Sequence, residues 1–429
     1  MVLEADVVIV GAGIVGLASA YHIKQENPRV DVLVVDALSG PGHGDTGRSA
    51  AAFRTFFYSR TNIALAATSV RFYRYVQEEV GFDLGMKFIG YLFLLTRSHY
   101  SMLEPILRVM EHRGLGYKLI DRDTLSEKLG VRVDVSGDEE AEIMGLEDIH
   151  IGIFIEEAGT MRPEKLVEFY YAELEKMGTR FLFNSEVSSI VLEPREPLGI
   201  PFEPLPWQDV VVSGVKLHGD KFVKARRAVI VAAGARSYQI LDPIGVDVHS
   251  KPKKRQVFVL KASKPELQKL LFVEGFNREN TAPFMLLPKG VYVRPTPEEG
   301  AFWVGVSDHL GRPFKWEPDP QPENYYYQYG VYPVLSVYFP QFRDIRPESA
   351  WAGFYDISID SQPVIFRVDG LIVAAGTSGS GIMKADAIGR IVAGLYFEKK
   401  YVELYGGEKF YVSSLGLSER SVEEEKLVI

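Results

Sequence analysis

The run Asp6-Val7-Val8-Ile9-Val10-Gly11-Ala12-Gly13-Ile14-Val15-Gly16 constrains the fold of this chain more than any other stretch of it. Val7 to Val10 is an unbroken apolar segment, the pattern of a strand buried on both faces. It breaks at glycine and passes directly into a helical pattern. A strand that feeds a helix through so tight a turn points bare backbone N–H groups, and the positive end of the helix dipole, at an anion. Gly11 permits the turn, Gly13 lets the backbone approach a pyrophosphate, and Gly16 lets the helix sit against the strand. Val30 to Val35 reads as the second strand, and Asp36 ends it about twenty residues past Gly16, where a ribose-hydroxyl acceptor belongs. Residues 5 to 36 are therefore expected to form a dinucleotide-binding βαβ unit, with Ile14, Val15 and Ala37 beside its ligand.

A second segment repeats the pattern far down the chain. Gly370-Leu371-Ile372-Val373-Ala374-Ala375-Gly376-Thr377-Ser378-Gly379-Ser380-Gly381-Ile382-Met383-Lys384 is again an apolar run, a glycine turn and the start of a helix. A third apolar run, Ala228 to Ala233, ends at Gly234. Both runs belong with the opening strand in one nucleotide-binding sheet, which makes Ala233, Gly234, Gly376 and the loop from Ser378 to Lys384 candidate ligand contacts.

Composition narrows the class. The chain has 429 residues, more than one ordinary domain, so two domains are expected. Its 46% apolar and 24% charged residues are those of a globular protein. A net charge of −9 argues against nucleic acid as a partner. No apolar stretch reaches the roughly 18 residues of a membrane span. No basic run precedes the first strand, so no signal peptide is expected. The absence of cysteine removes disulfides, iron–sulfur clusters, zinc–thiolate sites and cysteinyl cofactor links, and no metal site is read elsewhere. These features suit a cytoplasmic enzyme; docking on the inner face of a membrane and homo-oligomerisation stay open.

Helical spacing covers residues 61 to 80, 98 to 113 and Pro163 to Met177. Residues 193 to 209 are proline-rich and read as a surface excursion. Residues 250 to 345 carry alternating strands, many prolines and the cluster Tyr325-Tyr326-Tyr327-Gln328-Tyr329, as an inserted antiparallel sheet would. The expected fold is α/β, α+β overall: a Rossmann-like nucleotide-binding domain with an inserted antiparallel-sheet substrate domain. The nucleotide domain is assigned 1–90, 155–245 and 345–397, the substrate domain 91–154 and 246–344, and a C-terminal extension 398–429.

Taken in order, these motifs resemble those of the D-amino-acid oxidase and sarcosine oxidase superfamily of flavoproteins, most closely its sarcosine oxidase β-subunit and archaeal dye-linked L-proline dehydrogenase branch. The supporting segments are the two glycine loops, Gly44-Asp45-Thr46-Gly47-Arg48-Ser49-Ala50-Ala51, Glu157 to Pro163, Val229 to Ser237, Arg255-Gln256-Val257 and Trp351 to Asp356. The resemblance implies FAD. It places Thr46, Gly47, Arg48, Ser49 and Ala50 at the pyrophosphate and flavin edge, Val187 at the adenine through its backbone, and the late loop at the pyrimidine end of the flavin. Relatives that attach flavin covalently do so through a histidine where this chain has Arg48, or a cysteine where it has Gly353, so FAD is expected to be non-covalent.

Other departures bear on the reaction. Where oxidases of the family carry an oxygen-activating lysine, this chain has Trp303, which implies a dehydrogenase using a quinone-like or other acceptor. The family's carboxylate-binding arginine of Gly-Leu-Arg-Pro is absent from Gly353-Phe354-Tyr355-Asp356, and Arg54 is the substitute. Lys384 lies one place from the branch's second cationic ligand. Tyr355 is a candidate for a substrate hydrogen bond and His309 for the pocket wall. The implied activity is removal of a hydride equivalent from the carbon next to an amine nitrogen to flavin N5, with a small amino acid as substrate and L-proline favoured. A sarcosine, glycine or D-amino-acid oxidase, a 2-hydroxyacid dehydrogenase and a non-catalytic electron-transfer subunit remain as alternatives. Finally, Leu427-Val428-Ile429 follow an acidic run; a disordered end is one reading of them, and packing into an apolar groove on the same subunit or a partner, near the substrate entrance, is the other.

Overall fold

β1 (Leu3–Val10) is buried over its second half because its two faces pack into separate apolar clusters, and parallel strands flank both of its edges. Val7 to Val10 pair with β2 (Val32–Val35) on one edge and with Ala228 to Val231 of the strand Phe222–Val231 on the other. The next strand out, Leu371–Ala375, runs parallel to Phe222–Val231, and Val364–Val368 closes that edge antiparallel. Arg180–Leu182 extends the other edge beyond β2. Both late apolar runs thus lie in the sheet of the opening strand, as their residue pattern predicts. The computed structural model describes residues 3–219, 221–308 and 310–427.

Two helices cover one face of this sheet. α1 (Ile14–Glu26) starts at the first glycine turn, and Ala385–Tyr396 starts just past the late one. They pack so closely that a Cβ on Gly389 would stand 2.5 Å from the carbonyl oxygen of Ala18. A buried contact of 2.7 Å between His22 Nε2 and Asp386 Oδ1 ties the pair together. β3 (Ala52–Arg54) leads into α2 (Arg60–Glu78), whose N-cap Ser59 accepts the N–H of Asn62. Helices over Arg97–His112 and Pro163–Lys176 match the spacing read in the sequence.

A second eight-stranded sheet has the order Ser349–Ser358, Ser250–Lys261, Ala301–Val306, Val291–Thr296, Phe284–Leu286, Tyr91–Leu95, Ile151–Ile155 and Tyr117–Ile120. It is antiparallel except where Phe284–Leu286 meets Tyr91–Leu95. Two details differ from the sequence reading. Ser349–Ser358, assigned there to the nucleotide-binding parts, pairs with Ser250–Lys261 over its whole length. Its Gly353-containing motif lies beside the nucleotide segment while its backbone hydrogen bonds go to the second sheet. The tyrosine cluster at 325–329 is helical, in a continuous run over Asn324–Tyr338, and buries Tyr326 and Tyr327 against that sheet.

The contact at Gly389 gives a direct test of how the two helices share the sheet. Gly389→Ala forces a methyl against the Ala18 backbone, which cannot swing aside, and should cost about 1–3 kcal/mol. A melting temperature unchanged from the parent would show that the helices can separate without cost.

Candidate active site

The parallel strands of the first sheet all end at one edge, and a cavity of about 810 Å³ opens there, running on to the second sheet. Glycine geometry shapes both turns at its rim. Gly11 has φ +109°, and a Cβ on it would lie 2.4 Å from the carbonyl oxygen of Ala232. Gly379 has φ +81°, and a Cβ there would lie 2.1 Å from the ring of Tyr355. No other residue fits either place.

The residues around the first turn suit a dinucleotide. Asp36 Oδ2 accepts the N–H of Ala12 at 2.6 Å and Oδ1 that of Leu38 at 2.8 Å, which fixes the carboxylate beside the loop with lone pairs to spare. Gly13 caps α1 without a side chain, and Thr46 Oγ1 accepts the N–H of Ile14 at 3.2 Å. The helix N-terminus is thus open to an anion, with Thr46 beside it. Asp45 Oδ1 accepts the N–H of Phe354 at 2.8 Å, and burial pushes this carboxyl up to about 6. Trp351 Nε1 donates to the Arg48 carbonyl at 2.9 Å, and a Cβ on Gly353 would come within 3.1 Å of Arg48 Cβ. A cysteine in place of Gly353 would therefore crowd Arg48.

Most residues expected at the site line this cavity: Gly11, Gly13, Ile14, Val15, Asp36, Ala37, Thr46, Arg48, Ser49, Ala50, Arg54, Val187, Ala233, Gly234, Tyr355, Ser378, Gly379, Ser380, Gly381, Ile382 and Met383. Gly16, Gly47, Gly376 and Lys384 stand behind the wall instead. A Cβ on Gly16 would meet the Gly11 carbonyl oxygen at 2.0 Å, so Gly16 serves the packing of helix on turn. His309 lies outside the described residues. Trp303 faces away from the cavity: the Arg294 guanidinium sits 4.0 Å above its ring, Trp351 meets it edge-on, and its Nε1 donates to Glu299 at 2.9 Å. Among the described residues, no lysine lines the cavity.

Arg54 occupies a part of the wall that differs in character. It is 3% exposed, its guanidinium lies 4.5 Å from the Phe57 ring centre, and its Nη2 donates to the Leu427 carbonyl at 2.5 Å. Nη1 is buried without a hydrogen-bond partner. Burial pulls the Arg54 pKa down, opposed by Tyr91, Glu425 and Tyr355. Beside it stands an aromatic wall that the sequence reading missed. Tyr91 stacks on Phe284 at 4.1 Å, and Phe284 on Tyr292 at 5.4 Å. Burial raises the Tyr355 phenol, while Arg255 and Arg54 act against that rise, and the Arg255 guanidinium lies 5.2 Å from its ring centre. Lys384 is fully buried just behind, with Nζ donating to Asn62 Oδ1 at 2.5 Å. Burial lowers its pKa to about 7, Glu425 opposing the shift.

The comparisons with known proteins agree with this geometry. The family model for FAD dependent oxidoreductases (DAO) matches residues 6–395, and the chain belongs to that family. This family binds FAD, whose flavin supplies a two-electron acceptor, and the two glycine loops, Asp36 and the Thr46 segment line one cavity. FAD-dependent oxidoreductase domain-containing protein 1 of Bos taurus is 26% identical over 426 residues, covering 92% of this chain and 82% of that protein. Sarcosine oxidase subunit beta of Rhizobium meliloti is 23% identical, covering 90% of this chain and 82% of its own. Among solved structures, L-proline dehydrogenase from P. horikoshii superposes with a TM-score of 0.75 at 22% identity, covering 97% of each chain. The resemblance drawn from scattered motifs therefore holds, and the last likeness is one of fold.

Two tests follow from the site. Acid precipitation should release all the yellow colour, and Asp36→Ala should bind FAD more weakly, since it loses a ribose acceptor and the brace on Ala12. Colour left in the pellet would refute non-covalent binding, and a mutant that held FAD as well as the parent would refute the ribose role. The second test concerns Lys384. Unfolded, it keeps its proton until its ordinary 10.5, whereas folded it loses the proton near 7. Between these values the unfolded chain binds more protons, so stability relative to Lys384→Met should rise with pH, on the order of 1 kcal/mol per unit. Parallel melting curves of the two proteins from pH 7 to 9.5 would remove this assignment.

Proposed function

We propose that this chain is an FAD-dependent dehydrogenase of a small amino acid with a secondary amine, with L-proline the favoured substrate. The observation that carries the reading is Arg54 Nη1, a guanidinium N–H buried in the cavity wall with no partner. An unpaired charged donor in an apolar wall is costly unless an anion meets it, and a substrate carboxylate is an anion of the right size. The aromatic wall of Tyr91, Phe284 and Tyr292 supplies apolar surface for a small ring and keeps water from the reacting C–H bond. Likeness of fold to the L-proline dehydrogenase of P. horikoshii supports the choice of substrate.

The residues act by holding and orienting. Arg54 anchors the carboxylate. Tyr355 keeps its proton because burial raises the phenol, so its hydroxyl is available as a hydrogen-bond donor. The substrate nitrogen must be neutral for its lone pair to assist loss of the hydride equivalent, so turnover should rise with pH through the amine's own pKa. No side chain is required as a base. The absence of a lysine from the described cavity wall supports a dehydrogenase, by the logic of the family's oxygen-activating lysine.

Anaerobic L-proline should bleach the bound flavin, and sarcosine, glycine and 2-hydroxyglutarate should do so more slowly. Arg54→Leu should raise the KM for proline by about 100-fold or more, the cost of losing a buried charged partner. Reduced enzyme should reoxidise slowly in air and rapidly with a quinone-like dye. Rapid bleaching by 2-hydroxyglutarate alone, or peroxide formed as fast as dye is reduced, would overturn the substrate class or the dehydrogenase reading respectively.

A further inference from the structure

The segment from Arg420 to Leu427 is held against the cavity by contacts that a loose tail would not have. Arg420 makes two hydrogen bonds of 2.7 Å to the Asp360 carboxylate. Gln362 Nε2 donates to the Glu423 carbonyl at 2.7 Å, and the Glu423 carboxylate accepts the Arg60 N–H at 2.9 Å. The central anchor is Glu425, which is 5% exposed although it sits in an acidic run. Its carboxylate accepts from Tyr58 N at 2.8 Å, Ser59 N at 3.0 Å, Asn62 Nδ2 at 3.1 Å and Leu427 N at 2.9 Å. A buried carboxylate is expensive. Four N–H donors and the positive end of α2 make this one tenable.

The docking is partly apolar, with Val422 and Leu427 packed against the core, and Glu425 adds a polar anchor that the sequence did not suggest. Val428 and Ile429 lie outside the described residues. Leu427, which does belong to the described segment, stands in the cavity wall, and its carbonyl takes one of the two terminal nitrogens of Arg54.

We propose that the segment 420–427 is a fixed wall of the substrate site that limits the size of what Arg54 can bind. Glu425 docks the segment, and Leu427 occupies the room beside the guanidinium and holds Nη2, leaving Nη1 to meet the carboxylate. The consequence is selectivity for small carboxylates: a bulky group next to the carboxylate would strike Leu427. The inference rests on Arg54 as the carboxylate anchor proposed above.

The test uses the FAD-loaded full chain and two acids of equal charge, acetate and cyclohexylacetate, whose binding is read from perturbation of the visible flavin spectrum. Taking the ratio of their Kd values cancels changes in the field around Arg54. The parent should favour acetate strongly. Deletion of residues 422–429 should lower the cyclohexylacetate-to-acetate Kd ratio at least ten-fold, and Leu427→Ala, which leaves the Glu425 anchor intact, should lower it in the same direction. Glu419→Ala, at an exposed position outside the segment, should leave it unchanged. If the deletion fails to fold, the Leu427→Ala result decides. A ratio that stays at the parent value in the folded variants overturns the wall. The readout does not require turnover, so failure of every amino acid to bleach the parent would sink the proposed reaction and leave the wall to be judged on the acids.

Discussion

The whole site depends on three parallel strands ending at the same edge. β1, Phe222–Val231 and Leu371–Ala375 pair in register, so the turns that follow them emerge side by side. Parallel strands buried on both faces cannot turn back on themselves, and each must leave through a loop at its carboxyl end. Two of these loops lead into helices, and those helices pack with Gly389 against Ala18. Close packing of the helices brings their N-termini to the same opening. The open first turn of α1 and the late glycine loop ahead of the second helix then face one cavity, an arrangement suited to two portions of a single long cofactor.

One strand of the second sheet, Ser349–Ser358, ties that sheet to the loops at the rim of this opening. Along it, Trp351 donates to the Arg48 carbonyl, Gly353 leaves room for Arg48, Phe354 donates to Asp45, and Asp356 accepts the Thr377 hydroxyl at 2.7 Å. One face of a single strand thereby touches the Thr46 segment and the late glycine loop, while its backbone belongs to the other sheet. Tyr355 is carried into the gap between them, against Gly379. A shift of one residue in the pairing of this strand would turn Tyr355 away and bring its neighbours into the cavity.

What could be read from sequence follows from how local each feature is. Gly11, Gly13, Gly16 and Asp36 act within one βαβ unit, so their spacing alone carries the message, and the late loop repeats it. The aromatic wall is different. Tyr91, Phe284 and Tyr292 meet only through cross-strand register, and nothing in their own neighbourhoods marks them. Trp303 shows the limit of alignment by motif: its strand belongs to the second sheet as expected, but the ring is taken up by Arg294 and Trp351 outside the cavity. Glu425 could not have been told from Glu423 and Glu424, since a run of acids normally reads as a solvated surface. Its burial depends on α2, which begins more than three hundred residues earlier.

Electrostatics around Arg54 explain why an arginine suits this place. Two buried cations, Arg54 and Lys384, share a region with the Glu425 carboxylate; burial lowers the pKa of both, and Arg54 adds to the lowering at Lys384. The lysine yields, with a pKa near 7, because an ammonium can shed its charge when desolvated. A guanidinium cannot, since its pKa is too high for any such shift to neutralise it in the working range. Stacking on Phe57 and a neutral main-chain carbonyl support its charge without cancelling it. The wall therefore keeps a full positive charge with an unpaired N–H in a region of low dielectric, where opposite charges attract more strongly than in water. A lysine there would be free to go neutral, as Lys384 does close by.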